Sequence, residues 1–371
     1  MNVFLSTGSF YPAQTGGPCN SLYWHAKALV ENNVAVTILT TSRGISEHSA
    51  VPFDKWINNG FGEIRYCSNR FKAFINSINA IKQADIIHLS SLFYYPSFLL
   101  AIYLYLTGRT WIWSPRGECS ADALHYSSLK KKVVLKIINR IKGRVVFHST
   151  SPKETEEIQA VFGNVKVIEF PNYCALEDQI EVEIKKQILY MGRIHPIKAI
   201  ENLIEAIALS EEFHAKGFSL KIVGKCAPEH MNYLAQLKEL VKKDGLTEKV
   251  HFAGHLTGEE KSRAYAESYC LVLPSHTENF GNVIMEALNF GTPVIASKNT
   301  PWGILEDFSA GYHVPNQAGN LAHALDQIIG MPSEAYYLMR KNAAQLCEQH
   351  FSINNNIGKW ISVYKSNFKS E

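Results

Sequence analysis

The segment from Pro274 to Ala296, PSHTENFGNVIMEALNFGTPVIA, contains the pattern that decides the fold of this chain. The apolar run CLVLP just before it predicts a buried strand, and the residues after Asn282 have helical spacing up to Gly291. In a strand, turn and helix start of this kind, unpaired N–H groups and the helix dipole favour an anion. The segment therefore predicts an α/β unit with an anion site at its turn.

Two carboxylates, Glu278 and Glu286, flank the turn Phe280-Gly281-Asn282. Glu286 falls about one turn into the predicted helix, where a carboxylate can accept hydrogen bonds from two neighbouring hydroxyls. Glu278 lies in the loop on the other side of the anion. A phosphate with sugar hydroxyls at either end is the outline of a nucleotide-sugar. From spacing alone, an ordinary strand–helix unit with solvated glutamates remains an alternative.

The segment resembles the donor-binding segment of the retaining, GT-B-fold glycosyltransferases of family 4, also called glycosyl transferases group 1. That family has the pattern PS-x-x-E-x-FG-x-x-x-x-EA-x-x-x-G-x-P-V, and it is complete here. The resemblance implies that Glu278 contacts donor-sugar hydroxyls and that Glu286 holds the ribose. It also implies that the backbone of one short run binds phosphate and sugar: Asn279, Phe280, Gly281, Asn282 and Val283.

A second segment, LYMGRIHPIKAIENLIEA, places Arg193 directly after a predicted strand and Lys198 at the start of the next helix. Two cations near one helix N-terminus can neutralise a diphosphate as the bond to the sugar breaks. The segment is similar to the GR-x4-KG segment of the family, except that Ala199 stands where Gly is usual. We expect Arg193, Lys198 and Glu278 to be the catalytic residues.

Three further segments match the family in the expected order. Gly16 and Gly17 resemble its first-loop glycine pair, which lets backbone approach the donor phosphates. Gly224 lies in VGK, and His255 with Leu256 lies in FAGHL, both at strand ends that the family places near the nucleotide. We expect backbone around His255 to contact the base.

The acceptor side departs from many relatives. Where those carry a histidine segment, this chain has WSPRGE, similar to the subgroup that bears a PRG motif. Arg116 is the candidate for charge stabilisation or acceptor binding there, and Glu118 is a second candidate for acceptor contact. His88 and His148 are expected to be buried structural histidines.

Composition and patterning predict two domains. The chain has 371 residues, of which 46% are hydrophobic and 19% charged. Strand-like runs alternate with helical patterns and restart near Gln187, which predicts α/β architecture. With the resemblance, this implies a GT-B fold of two doubly wound Rossmann-like domains facing a central cleft. We expect an acceptor-binding domain at 1–175, a nucleotide-sugar domain at 176–350, and a helix at 351–371 that crosses back to the first domain.

The positive charge is concentrated in the first half of the chain. Residues 1–175 carry 18 Lys and Arg against 11 Asp and Glu, and the remainder carries 19 against 23. Residues 129–144 hold seven of these cations, no acid and several apolar residues at helical spacing. Such a helix suits the surface of an anionic bilayer, but a core-packed helix with a solvated basic face is an equal alternative. No nucleic-acid motif is present, so no nucleic-acid partner is expected.

Three further features of the sequence bear on the cellular compartment of the protein. The seven scattered cysteines have no disulfide or metal spacing, and the N-terminus does not resemble a signal peptide. The apolar run Leu92–Leu106 is shorter than the roughly 20 residues needed to span a bilayer. We therefore expect a cytoplasmic protein, soluble or peripheral at the inner face of the membrane.

These observations predict a hexosyltransferase that needs no metal or cofactor. It would take a UDP- or GDP-linked sugar and a glycan acceptor, which is lipid-linked if the protein acts in lipopolysaccharide, O-antigen or other surface-polysaccharide synthesis. The first alternative is a nucleotide-sugar epimerase on the same scaffold, and the second is a non-enzymatic assembly subunit. Neither the base, the sugar, the acceptor nor the linkage is encoded in a readable pattern.

Overall fold

The computed structural model describes residues 1–13, 16–45, 49–125, 129–177 and 180–367. Within these ranges the chain folds as two compact units. Unit 1 comprises Met1–Cys174 and, from the other end of the chain, the helix Ile353–Asn367; unit 2 is Ala175–Ser352.

Each unit is built on one sheet, and the strands are numbered along the chain. The strands are β1 Asn2–Ser6, β2 Ala35–Thr41, β3 Trp56–Asn59, β4 Gly62–Cys67, β5 Ile86–Ser90, β6 Trp111–Ser114, β7 Val145–Ser149, β8 Val167–Glu169, β9 Gln187–Met191, β10 Ser219–Val223, β11 Val250–Gly254, β12 Cys270–Leu273, β13 Val294–Ser297 and β14 Gly311–Val314.

Helices follow most strands, as expected for parallel sheets. The α-helices are α1 Gly17–Glu31, α2 Arg70–Ile81, α3 Tyr95–Leu106, α4 Ala121–His125, α5 Leu129–Ile141, α6 Pro152–Phe162, α7 Ile200–Leu209, α8 Glu211–Ala215, α9 Met231–Lys243, α10 Gly258–Ala266, α11 Asn282–Asn289, α12 Ile304–Asp307, α13 Ala318–Gly330, α14 Ser333–Leu346 and α15 Ile353–Asn367. The predicted helix at 129–144 ends at Ile141 and continues as a short 3₁₀ turn.

The two sheets share a six-strand order, to which unit 1 adds one strand at each edge. Unit 1 has the order β3-β4-β2-β1-β5-β6-β7-β8, and unit 2 has β11-β10-β9-β12-β13-β14. Pairing is parallel throughout, except that β3 runs antiparallel to β4 at the edge of the first sheet. The order therefore reverses beside β1 in unit 1 and beside β9 in unit 2, which makes each sheet doubly wound and Rossmann-like. The predicted α/β fold class is confirmed.

Burial explains why the strand segments are near-continuous apolar runs. Strands β5, β6, β7, β12 and β13 are buried along their whole length, because helices cover both faces of each sheet. Helix α6 shows how local sequence sets an element boundary. Ser151 caps its first turn by accepting a hydrogen bond from the N–H of Glu154 at 3.2 Å, and Pro152 occupies a first-turn position. All seven cysteines are free thiols.

Helix α15 is joined to unit 1 by a buried chain of hydrogen bonds. Tyr364 of α15 contacts His25 Nε2 at 2.6 Å and His88 Nδ1 at 3.0 Å, and the indole of Trp360 packs against both imidazoles. His88 Nε2 lies 2.6 Å from the hydroxyl of Ser114. The C-terminal helix thus completes the core of unit 1.

The chain of hydrogen bonds has a single direction. His148 Nε2 lies 3.1 Å from the carbonyl of Phe170, which can only accept, so His148 donates there and accepts at Nδ1 from Ser114 at 2.7 Å. The same logic makes His88 and His25 neutral donors at Nε2. We call this the histidine relay, and its order from first donor to last acceptor is Tyr173, His25, Tyr364, His88, Ser114, His148 and the Phe170 carbonyl.

Electrostatics agree with this neutral arrangement. Burial lowers the pKa of His25 to about 3, with a smaller contribution from the nearby Arg116 charge. Burial also holds the pKa of His88 and of His148 well below the usual value. The expectation that His88 and His148 are buried is met, with 2% and 3% of their surfaces exposed.

Candidate functional site

The candidate site of unit 2 lies at the carboxyl ends of β9 and β12, the two strands beside the reversal of strand order. Ligands of open α/β sheets bind at this point. The loop after β9 carries Arg193 and Lys198, and the loop after β12 carries Glu278. The N–H of His276 donates to the carbonyl of Ile197 at 2.9 Å, so backbone joins the two loops.

Lys198 and Glu278, 80 positions apart in sequence, form an ion pair in this site. Their side chains are only 12% and 13% exposed. Ser275 donates a hydrogen bond to the same oxygen of Glu278 at 3.1 Å. The loops therefore place a lysine, a glutamate and a hydroxyl together at the reversal point.

Arg193 differs from Lys198 in its surroundings. Its side chain is exposed and forms no ion pair with a carboxylate in the described ranges, while its carbonyl accepts a hydrogen bond from Tyr190 at 3.0 Å. The nearby His195 caps the following turn, with Nδ1 accepting from the N–H of Ile197 at 3.0 Å. Burial, the neighbouring His230 and the charges of Arg193 and Lys198 lower the pKa of His195. An exposed guanidinium beside a neutral imidazole is available to an anion.

Gly281 makes the turn before α11 possible. It caps the helix with φ 86° and ψ 61°, a left-handed conformation that glycine adopts without steric cost. A Cβ there would lie 3.3 Å from Leu273 and 3.4 Å from Trp302 Nε1. The indole of Trp302 in turn donates to the carbonyl of Phe280, whose ring is buried. The turn that leads into α11 is thus fixed, and a Cβ on Gly281 would lie 3.8 Å from Cγ of Glu278.

Glu286 lies on the second turn of α11 and has partners on the preceding helix. Its Oε2 accepts a hydrogen bond from the hydroxyl of Tyr265 at 2.7 Å and forms an ion pair with Lys261 Nζ at 2.8 Å. The buried Tyr265 has a raised pKa because of its burial and the adjacent Glu286 charge. Lys261 and Tyr265 are absent from the sequence-based site. Their spacing of four positions on α10 was the available signal, but such spacing occurs on any helix.

The remaining predicted donor-side residues lie on neighbouring strand ends. Gly224 follows β10, and a Cβ there would lie 1.7 Å from the carbonyl oxygen of Gly192, so glycine is required for packing alone. His255 is exposed after β11, and burial together with the charges of Lys225 and Lys261 lowers its pKa. Leu256 is half-buried beside it.

The other predicted residues belong to unit 1. Gly17 begins α1 and Gly16 precedes it with φ 133°. Arg116 follows β6 with φ 59°, and its Nη1 donates to Asn172 at 3.2 Å. Its Nε is buried and donates to no acceptor among the described residues. Arg116 is therefore a charged group with one unused donor among the described residues.

Both carboxylate oxygens of Glu118 already accept hydrogen bonds from residues of unit 1. Its two carboxylate oxygens accept from Ser91 Oγ and from the N–H groups of Leu92 and Phe93, the latter at 3.3 Å. Burial raises the pKa of Glu118, while these hydrogen bonds oppose the shift. Glu118 therefore orders the loop that leads into α3.

Across the described ranges, no group of three or more His, Cys, Asp or Glu side chains is arranged to hold a metal ion. In the same ranges, no helix combines the length and the apolar character required to cross a membrane.

Comparison with known proteins shows which family the second half of the chain resembles. Residues 176–346 match the family described as Glycosyl transferases group 1. An uncharacterized glycosyltransferase of Methanocaldococcus jannaschii, MJ1607, is 25% identical over 255 residues. That alignment covers 66% of this chain and 62% of the relative, so it spans less than two thirds of the relative's length.

Solved structures give the fold of the whole chain. Sucrose-phosphate synthase from Thermosynechococcus elongatus superposes with a TM-score of 0.80 at 19% identity, over 100% of both chains. Anabaena Alr3699/HepE, in complex with UDP and glucose, superposes with a TM-score of 0.75 at 16% identity, over 99% of both chains. Residues 176–346 of this protein therefore resemble the glycosyl transferases group 1 family, and the chain as a whole has the GT-B fold.

Proposed function

We propose that this protein is a retaining glycosyltransferase that moves a hexose-type sugar from a nucleoside diphosphate to a glycan acceptor. The observation that carries this proposal is the contact between Lys198 and Glu278 at the strand-order reversal of a domain that resembles the glycosyl transferases group 1 family. It unites the cation and the carboxylate of two separate motifs at the position where α/β sheets bind ligands. HepE, a structural neighbour, was solved with UDP and glucose.

Each donor-side residue has a separate task in the proposed reaction. The bond between the anomeric carbon and the diphosphate oxygen breaks, and its electron pair stays on the diphosphate. An acceptor hydroxyl forms the new bond to the anomeric carbon, and its proton passes to the departing diphosphate. Arg193 and Lys198 stabilise the charge that grows on the diphosphate. Glu278 binds donor-sugar hydroxyls, and Glu286 binds the ribose. The N–H groups at Asn279–Val283 supply the anion site.

Charge neutralisation by two protein cations makes a divalent ion unnecessary in this scheme. Lys198 and Ser275 both hold Oε1 of Glu278, which argues against Glu278 as a covalent nucleophile. On the acceptor side we propose Arg116 rather than Glu118, because Arg116 retains an unused donor. The epimerase alternative has no support in the relatives described above.

Thermal unfolding with a nucleotide panel tests the donor site. UDP, GDP, ADP and CMP, with their sugars and without metal, are added to the purified protein. We expect selective stabilisation by one nucleoside diphosphate, of about 2.7 kcal/mol when the ligand is at a hundred times its Kd. The Lys198→Ala variant should lose that stabilisation. If no nucleotide raises the melting temperature of the wild-type protein, the donor site proposed here is wrong.

We propose further that the acceptor is part of a lipid-linked surface glycan, such as lipopolysaccharide or O-antigen, and that α5 binds an anionic bilayer. On one face of α5, Ile138 and Ile141 are buried. The opposite face exposes Leu129 by 79% and Val133 by 51%, and cations follow them along the helix. Lys132, Lys136 and Arg140 are the exposed cations of that face. Apolar residues flanked by cations match an anionic interface.

Vesicle flotation tests the membrane proposal. Vesicles of phosphatidylcholine with phosphatidylglycerol should carry the protein upward, and vesicles of phosphatidylcholine alone should not. The double variant Lys132→Ala/Lys136→Ala should weaken binding by about 1 kcal/mol per charge removed. Equal flotation of wild type and variant would overturn the role of α5 without affecting the donor site.

A further inference from the structure

The two carboxylates of the site are held in the same way. Glu278 uses one oxygen, Oε1, for both Lys198 and Ser275. Glu286 likewise uses one oxygen, Oε2, for both Lys261 and Tyr265. In each case one lysine and one hydroxyl fix a single oxygen. The second oxygen of each carboxylate accepts no hydrogen bond from the residues that the structure describes.

The tyrosine of the second arrangement is rigid. Tyr265 is 1% exposed, and its ring is stacked nearly parallel to that of Phe290. Its carbonyl accepts a hydrogen bond from Thr292 at 2.7 Å. The hydroxyl therefore approaches Glu286 from a fixed position, which selects one orientation of the carboxylate.

The lysine adds charge from the solvent side. Lys261 lies one turn before Tyr265 on α10, and its Nζ is 5.9 Å from the centre of the tyrosine ring. The side chains of Lys261 and Glu286 are 28% and 20% exposed, so a ligand can reach them. The ammonium group of Lys261 forms an ion pair with the carboxylate at 2.8 Å, and a carboxylate oxygen accepts hydrogen bonds from hydroxyls.

We infer that Lys261 and Tyr265 are positioning residues, which turn the second oxygen of Glu286 toward the ribose hydroxyls of a nucleoside diphosphate. This inference rests on the proposed function, because it assigns the ribose to Glu286. It goes beyond the proposed function because it assigns a role to two residues that hold Glu286. Glu286 distinguishes a ribose from a deoxyribose only while Lys261 and Tyr265 hold its other oxygen.

Binding of ribonucleotides and deoxyribonucleotides tests the inference. Calorimetry gives the Kd of UDP, GDP and ADP, and then of the 2′-deoxy and 3′-deoxy forms of whichever one binds. Wild type should prefer the ribonucleotide by about tenfold or more, since the lost hydrogen bond is to a charged group. Glu286→Gln should reduce that preference.

Three further variants separate positioning from general charge effects. Lys261→Met and Tyr265→Phe should each reduce the preference for ribose by about threefold or more, because the carboxylate is no longer fixed. Adding Lys261→Met to Glu286→Gln should change the preference no further, since both act through one group. Lys242→Met, which removes an exposed lysine paired with Glu239, should leave the preference intact.

The outcomes distinguish this inference from the proposed function. If no nucleoside diphosphate binds to wild type, the proposed function and this inference both fail. If wild type binds but does not distinguish ribose from deoxyribose, the role of Glu286 is wrong and so is the inference. If wild type distinguishes them and the Lys261→Met and Tyr265→Phe variants do so equally well, only the inference is overturned.

Discussion

The carboxyl ends of the strands carry buried polar groups in both units, but the two units use them differently. In unit 1 the histidine relay is closed, because every ring nitrogen and hydroxyl within it has a partner. In unit 2 Glu278 and Glu286 each keep one oxygen unused and are partly exposed. The same sheet topology therefore supports a structural polar network in one unit and the proposed binding site in the other.

This difference gives a physical criterion for function. Buried polar groups that satisfy one another fix a fold, and removing one partner leaves a costly unpaired group. Groups that are oriented but incompletely satisfied are ready to bind a ligand. Changes in the relay should therefore alter stability, and changes in the carboxylate site should alter binding and turnover.

Acid should have the largest effect on unit 1. The relay histidines have folded-state pKa values below about 6.5, the usual value in an unfolded chain. The unfolded state therefore binds more protons, so the stability that they contribute is full above about pH 6.5 and is lost as pH falls toward the folded pKa. The charged group that faces the relay is Arg116, and the Glu154 charge lies near Arg116.

The free energy of unfolding should fall by about 1.4 kcal/mol per pH unit and per histidine below pH 6.5. For three histidines this amounts to about 4 kcal/mol at pH 5.5. Hydrogen exchange of residues 353–367 at pH 7.5, 6.5 and 5.5 measures it, because α15 depends on the relay. In the His25→Gln variant, the exchange rate of residues 353–367 should depend less steeply on pH. Exchange in α15 that is equally slow at all three pH values would show that the relay does not hold the helix.

Loss of Arg193 should have the largest effect on turnover. Arg193→Ala removes an exposed cation with no structural partner carboxylate among the described residues, so folding should be unchanged. Release of the nucleoside diphosphate from its sugar should fall by about 10²- to 10³-fold, since a charge-stabilising donor is lost. Circular dichroism provides the folding control, and undiminished release from a folded variant would contradict the role of Arg193.

Removing one hydroxyl from the relay should destabilise unit 1 without touching donor binding. Tyr364→Phe leaves a buried donor on His25 and a buried acceptor on His88 unpaired. The expected cost is about 2–3 kcal/mol, read from faster hydrogen exchange or proteolysis in α15. Tyr337→Phe is the matched control, because Tyr337 is exposed. If Tyr364→Phe weakens nucleotide binding and leaves the protection of α15 unchanged, the assignment of a structural role to the relay is wrong.

The sequence alone predicts the candidate site residues that lie within motifs, but it does not predict those that lie outside them. Lys198 and Glu278 are predicted as site residues because each stands at a strand end within a recognisable motif. Lys261 and Tyr265 belong to no motif and reach Glu286 only through the packing of α10 on α11. That contact is tertiary, and helical spacing alone does not specify it.

The histidine relay is beyond sequence reasoning for the same reason. His25 and Tyr364 lie 339 positions apart, and nothing local marks either as the partner of the other. Two histidines of the relay were predicted to be buried, but their shared direction of hydrogen bonding follows only from the coordinates. The doubly wound fold was accessible, because the alternation of apolar runs and helical periods is a local property of the sequence.

The smallest expected effect concerns the residue where this chain departs from the GR-x4-KG pattern. Ala199 is buried and adopts φ 49° and ψ 46°, so the site demands the left-handed conformation for which glycine is suited. That conformation costs a non-glycine residue about 1–2 kcal/mol, and alanine recovers about 0.4–1 kcal/mol by restricting the unfolded chain. Ala199→Gly should therefore stabilise unit 2 by about 0.5 kcal/mol.

The larger Ala199→Val variant makes the direction of this small effect measurable. A β-branched residue is least tolerated at positive φ, so valine should destabilise unit 2 by more than glycine stabilises it. Urea unfolding gives the free energy of unfolding of the wild type and the two variants. Hydrogen exchange in α7 then shows whether the difference arises in unit 2. Because Ala199 follows Lys198 directly, nucleotide binding should change in Ala199→Val but not in Ala199→Gly. Equal stability of all three would mean that the loop after β9 adapts to its residue, and that it does not hold Lys198 rigidly against Glu278.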